Sequence, residues 1–155
     1  MSDVNVQDVK KLRASTGAGL VECRNALLET GGDLASAEVL LRGRSAVRVE
    51  ERSGRKTGDG YAASYVHGDG RIVAVVELRC ETDFVSRTAD FRTVAKGLAM
   101  HVASEAPTSL AVFLTQPYLL DDHLTVEEVV RRLAASLGEN VHVGRFTRIG
   151  VDDKR

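Results

Sequence analysis

Residues 61–85 read YAASYVHGDGRIVAVVELRCETDFV, and this stretch decides the fold. Residues 61–66 and 71–79 are two strand-like runs rich in β-branched and aromatic residues. Between them His67-Gly68-Asp69-Gly70 supplies the glycines and the Asp-Gly pair that a tight reversal of the chain demands. The pattern predicts an antiparallel hairpin whose second strand is largely buried. After that strand comes Cys80-Glu81-Thr82-Asp83-Phe84-Val85, where the backbone must leave the sheet. A large aromatic beside a carboxylate at such a corner has two readings. Phe84 folds back into its own core, as phenylalanine generally does, or it projects as a loop-tip contact held by rigid flanking elements. In the second case it offers about 2–3 kcal/mol of apolar burial to the surface that accepts it.

Downstream, Ser86 or Thr88 can cap a helix over residues 88–105, with Phe91, Val94, Ala95, Leu98 and Val102 on one apolar stripe, until Pro107 stops it. Residues 110–120 form an apolar stretch read as extended, with Pro117 confining its end to an edge strand or loop. Thr125-Val126-Glu127-Glu128 has the spacing of a capping box and opens a helix that Gly138 ends. Residues 141–151 alternate as a strand, and the alternation shifts at Gly144, the mark of a bulge. Strands and helices in this order predict an α+β core over residues 60–155, an antiparallel sheet with packed helices.

Upstream, three short helical patterns fill residues 1–42. Val6, Val9 and Leu12 continue a face that starts near Asp3 and Asn5; Leu20, Cys23, Ala26 and Leu27 form the second; Leu34, Ala37, Leu40 and Leu41 form the third. Gly17, Gly19, Gly31 and Gly32 separate them, and Asp33 is placed to cap the third. The expected unit is a three-helix bundle. In residues 43–59 apolar residues thin out while Arg44, Arg48, Arg52, Arg55 and Lys56 accumulate against Glu50, Glu51 and Asp59, so this stretch is read as a charged linker. Ser53-Gly54-Arg55-Lys56-Thr57 fails as a phosphate loop, because Arg55 separates the glycine from the lysine and Val49 stands where the leading glycine belongs.

The chain of 155 residues has 21 basic and 22 acidic side chains and a net charge of −1. That balance argues against direct nucleic-acid binding or an anionic membrane surface, which leave a basic excess. Neither a signal sequence at the start nor an apolar run of spanning length is indicated, and two unpaired cysteines fit a reducing compartment, so the expected location is the cytoplasm. Four scattered histidines, His67, His101, His123 and His142, lack metal-site spacing, and no cofactor or metal is expected. The best candidate nucleophile is Cys80 with His67 or His101 and Glu81, and it carries no local activation signature.

Thr16-Gly17-Ala18-Gly19-Leu20-Val21-Glu22-Cys23, Tyr65-Val66-His67-Gly68-Asp69-Gly70-Arg71 and Glu77-Leu78-Arg79-Cys80-Glu81-Thr82-Asp83-Phe84-Val85 together closely resemble the bacterial elongation factor Ts family. The likeness continues in order through Leu98-Ala99-Met100-His101-Val102-Ala103, Gln116-Pro117-Tyr118, Thr125-Val126 and Leu137-Gly138-Glu139-Asn140-Val141. The resemblance implies that the amino-terminal bundle is similar to ubiquitin-associated domains. It further implies that the core docks on elongation factor Tu, in its GDP-bound and nucleotide-free forms, and speeds GDP release without covalent chemistry of its own. In that family the corner matching Thr82, Asp83 and Phe84 wedges between helices of the GTPase domain, and Val85 beside it is expected among the partner-binding residues. The positions matching Leu20 and Val21 contact another helix of that domain. Many relatives carry methionine at both of these, and a longer helical segment where only residues 108–115 join Pro107 to Gln116 here. Short members of the family use two copies for the surface that longer members build by internal duplication, which implies a homodimer. The rival readings are a module that docks on elongation factor Tu with weakened or lost exchange, and a small thiol enzyme using Cys80.

Overall fold

The computed structural model describes residues 4–151 and 153. The chain divides between Glu51 and Arg52 into two units. The first holds helices α1 (Val6–Thr16), α2 (Leu20–Glu29) and most of α3 (Leu34–Arg52). Each start is capped locally. Asn5 Oδ1 accepts the Gln7 N–H at 2.9 Å, Glu22 reaches back to the Gly19 N–H at 3.1 Å, and Asp33 accepts the Ser36 N–H at 3.0 Å. The Asp3 end of the first expected helix lies outside the described residues. Gly17 at φ 71° closes α1 in the left-handed conformation that glycine adopts without a steric penalty. Val9, Leu12, Cys23, Ala26, Leu27, Ala37 and Leu41 make the core of this unit.

The sequence reading ends the bundle at residue 42, whereas α3 runs on to Arg52. The stretch has one glycine and no proline, and its arginines are not simply solvated. Arg44 pairs with Glu29 at 2.7 Å and Arg48 with Glu22, both on α2, so the charges fasten the helix to its neighbour. Only residues 53–58 remain between α3 and the first strand, and Asn140 Nδ2 bonds the Ser53 and Arg55 carbonyls there.

The second unit is α+β. Strands β1 (Asp59–His67), β2 (Ile72–Cys80) and β5 (His142–Gly150) form an antiparallel sheet with β2 central. The hairpin register pairs His67 with Ile72, and Gly68 and Gly70 take the positive φ angles of the turn. Ala74, Val76, Leu78 and Cys80 alternate onto the buried face, where α5 (Ala89–Glu105) presents Phe91, Ala95, Leu98 and Val102. On β5 the register slips opposite Glu77, with Val76 facing Phe146 and Leu78 facing Val143. Gly144 and Arg145 thus form the expected bulge.

Residues 110–115, read as extended, instead form the short helix α6 (Leu110–Thr115). The Ser109 hydroxyl accepts the Val112 N–H at 3.2 Å and starts it, and Phe113 is buried against Phe146 with ring centroids 5.1 Å apart. The two-stranded pair β3 (Pro117–Tyr118) and β4 (Asp121–Thr125) follows, then α7 (Val126–Leu137), opened by the Thr125–Glu128 capping box. Gly97 lets Tyr118 close on α5: a β-carbon there would lie 2.0 Å from the phenol oxygen. Among the described residues no helix is long and apolar enough to cross a membrane.

Candidate functional site

The corner after β2 is built from its buried side outward. Cys80 is fully buried, and its thiol donates to the Thr82 carbonyl at 3.2 Å, turning the chain out of the sheet. Asp83–Ser86 then forms one helical turn, α4, with Thr82 at its N-cap. Ser86 is buried and its hydroxyl donates to the Asp83 carbonyl at 3.1 Å; the Thr88 hydroxyl donates to the Val85 carbonyl at 2.8 Å and accepts the Phe91 N–H that opens α5. Within this frame Val85 is half-buried, and Phe84 stands 81% exposed. Phe84 therefore projects from the corner and does not fold back into the core.

Asp83 pairs with Arg87 one turn later, at 3.0 Å. Burial first, then the nearby Glu139 and Asp59 carboxylates, push the Cys80 thiol up to about 11, so it stays protonated at neutral pH. Both candidate imidazoles are engaged elsewhere. His67 Nδ1 lies 3.1 Å from the Tyr65 hydroxyl, while His101 accepts the Leu119 N–H and bonds Gln116. The geometry of a thiol–imidazole centre is thus not assembled at Cys80.

The carboxylates Glu77, Glu81 and Asp83 do not gather into one site. Glu77 lies on the open face of the sheet, where hydrogen bonds from Arg79 first and Arg145 next lower its carboxyl to about 2. Glu81 lies just beyond the end of β2, where its Oε1 accepts the Asn140 N–H at 2.7 Å.

Two residues that the residue-by-residue reading passed over complete the corner. Glu139 Oε2 accepts the N–H groups of Glu81 and Thr82 at 3.0 and 3.1 Å, and its Oε1 accepts the Thr82 hydroxyl. Asn140 answers with its own N–H to Glu81. Their one sequence signal is position: they follow Gly138, whose φ of 71° ends α7 and fixes where the next residues point.

In the first unit, Leu20 and Val21 open α2 directly after the Gly17-Ala18-Gly19 turn. They are 53% and 71% exposed on a turn held by the Glu22 cap. The six sequence-predicted site residues therefore fall in two sets, Leu20 with Val21 in one unit and Thr82 to Val85 in the other. Each set sits at the start of a helix, and each presents exposed apolar side chains. Such a surface can bind an apolar cleft. Among the described residues there is no cluster of three or more His, Cys, Asp or Glu side chains able to hold a metal ion.

The family model for elongation factor TS matches residues 81–155. Elongation factor Ts of Rippkaea orientalis is 33% identical over 194 aligned positions, covering 96% of this chain and 78% of that protein. The elongation factor Ts of Coprothermobacter proteolyticus is 33% identical over 191 positions, covering 94% of this chain and 97% of that protein. That of Clostridium kluyveri is 37% identical over 148 positions, with 96% of this chain against 48% of the longer protein. The first two alignments exceed the 155 residues of this chain, so those relatives carry sequence with no counterpart here.

Proposed function

The chain belongs to the elongation factor Ts family of translation elongation factors, and from that premise we propose that it is a guanine nucleotide exchange factor for elongation factor Tu. The observation that carries this reading is Phe84, 81% exposed on a corner whose other side chains and backbone are fastened. Asp83 and Phe84 act as a wedge against the GTPase domain, with Thr82 and Val85 as its base. Leu20 and Val21 provide a second apolar contact. A factor that binds the nucleotide-free GTPase more tightly than its GDP form must weaken GDP by the same ratio. Each tenfold corresponds to about 1.4 kcal/mol of differential binding. Burial of the Phe84 ring, available only in the opened GTPase, supplies part of that difference. No covalent step is needed, and a Cys80 thiol near 11 argues against the rival reading of a thiol enzyme. The work is done in the cytoplasm, where translation takes place.

A second copy of the chain is the other proposed partner. Val66, Val73 and Ile149 face one another across all three strands on the side of the sheet opposite α5, and Val66 and Ile149 are exposed. Pairing two such faces would cover them. Light scattering of the wild-type chain and of Ile149→Asp tests it, with a dimer converted to a monomer as the expected result.

The test of exchange is release of fluorescent GDP from bacterial elongation factor Tu with and without the chain. Faster release is expected, and unchanged release at saturating chain overturns the reading. The alignments longer than this chain favour one alternative, docking without exchange. That alternative predicts binding to elongation factor Tu with release unchanged.

A further inference from the structure

We infer that Glu139 is a positioning residue for exchange: it holds the Thr82–Phe84 corner in register from a segment 57 residues further along the chain. The inference rests on the exchange reading above and adds to it a residue that acts through the wedge. The single turn α4 has four residues. A turn that short does not hold its own conformation in water, because fixing the first turn of a helix costs more than its few hydrogen bonds return. Its geometry has to be imposed by its surroundings.

Glu139 imposes it from the N-terminal side. One carboxylate oxygen takes the two backbone N–H groups leading into α4, from Glu81 at 3.0 Å and Thr82 at 3.1 Å, and the other takes the Thr82 hydroxyl. A carboxylate accepting backbone N–H groups at the start of a helical turn makes charge-assisted bonds, the stronger kind. The arrangement is reciprocal, since Glu81 Oε1 accepts the N–H of Asn140, the residue after Glu139. Glu139 directly follows Gly138, the cap whose N–H bonds the Ala134 carbonyl, so the end of α7 sets where its side chain starts. Phe84 is thereby presented in one direction before any partner arrives. Pre-organisation of this kind removes an ordering cost from the step in which the wedge engages.

The test uses the full chain as wild type, Glu139→Ala, Glu139→Gln, Phe84→Ala and the Phe84→Ala/Glu139→Ala double variant, each measured for maximal GDP release at saturating concentration. Glu139→Ala is expected to lower the maximal rate about tenfold or more, since misplacement of a positioned group has effects of that order. Glu139→Gln keeps one acceptor oxygen in the same shape and is expected to recover part of the loss. In the Phe84→Ala background, Glu139→Ala should cost nothing further, because both changes disable one element. Hydrogen exchange is the second readout. The amides of Glu81 and Thr82 should lose protection in Glu139→Ala while Val76 in β2 keeps it.

Wild-type speed in Glu139→Ala, or a full additional loss on top of Phe84→Ala, overturns the inference and leaves the exchange reading standing. Loss of protection throughout β2 in both single Glu139 variants also overturns it, making Glu139 a residue of the fold alone. Failure of the wild-type chain to speed release overturns the exchange reading, and the inference falls with it.

Discussion

A β-carbon added at Gly144 would lie 2.9 Å from the Glu77 Oε2 atom, so the bulge on β5 and the carboxylate on β2 occupy one space. The same carboxylate accepts the Arg145 N–H and its guanidinium Nε, the latter at 3.0 Å. Gly144→Ala is therefore expected to displace the flexible end of Glu77 from its arginines and lower Tm only by a degree or two, the scale of a surface ion pair. In a Glu77→Ala background the same change should cost much less. Equal losses in thermal scans of the two backgrounds would show that Glu77 is not the obstacle.

The pH dependence of Glu77 has a definite sign. Its carboxyl is held at about 2, below the ordinary 4.5, so the folded state binds its proton less readily than the unfolded chain. The stabilisation is present above pH 4.5 and is lost as pH falls towards about 2. Urea unfolding midpoints at pH 6 and pH 3 should fall less in Glu77→Gln than in the wild type. Parallel curves for the two chains would refute the assignment.

Phe84→Ala should leave the melting temperature within a degree or so of wild type, since an exposed ring leaves no cavity when removed. A core phenylalanine would cost about 3–5 kcal/mol. GDP release stimulated by the variant should slow about tenfold or more, equivalent to about 1.4 kcal/mol of lost differential binding. A large drop in Tm with exchange intact would return Phe84 to a structural role.

Leu20→Ala and Val21→Ala are expected to raise the concentration of chain needed for half-maximal exchange, with little change in Tm, because both side chains are exposed. The maximal rate should change less than the half-saturation point. Titrations of release rate against chain concentration separate the two effects, and unaltered curves for both variants would remove these residues from the docking surface.

Cys23 and Cys80 are both fully buried, and burial raises both thiols above their ordinary range. The native chain should react with a thiol reagent at neutral pH only as fast as it opens. Cys80→Ser should retain exchange. Rapid alkylation of Cys80 in the folded chain would contradict the structure.

Much of the architecture is legible in local chemistry. The glycines at 68 and 70 announce the hairpin, Thr125 and Glu128 announce α7, and the broken alternation at Gly144 marks the bulge. The two misread stretches have physical causes. Leu110–Thr115 is almost wholly apolar and shows no period, so the Ser109 cap and the burial of Phe113 decide in favour of a helix. The second half of α3 reads as a solvated charge run because its partners, Glu22 and Glu29, lie on a different helix. The corner divides in the same way. The strand ending at Cys80 places Phe84 at a corner but leaves both of its readings open, and its exposure is decided by the structure; Glu139 reaches Thr82 across 57 residues, a separation over which no periodicity or spacing rule operates.

Gly97 has a consequence for anyone altering this molecule. In an exposed helix interior, glycine gives up about 1 kcal/mol of propensity relative to alanine, so replacing it is an obvious route to a sturdier protein. Here the vacant side of α5 is a socket, with the Tyr118 oxygen 2.0 Å from where the methyl carbon would sit. Weak local preference at this position is the condition for joining the β3–β4 ribbon to the main helix. A thermostabilising library scored on helix propensity alone would choose Gly97→Ala early and uncouple the two.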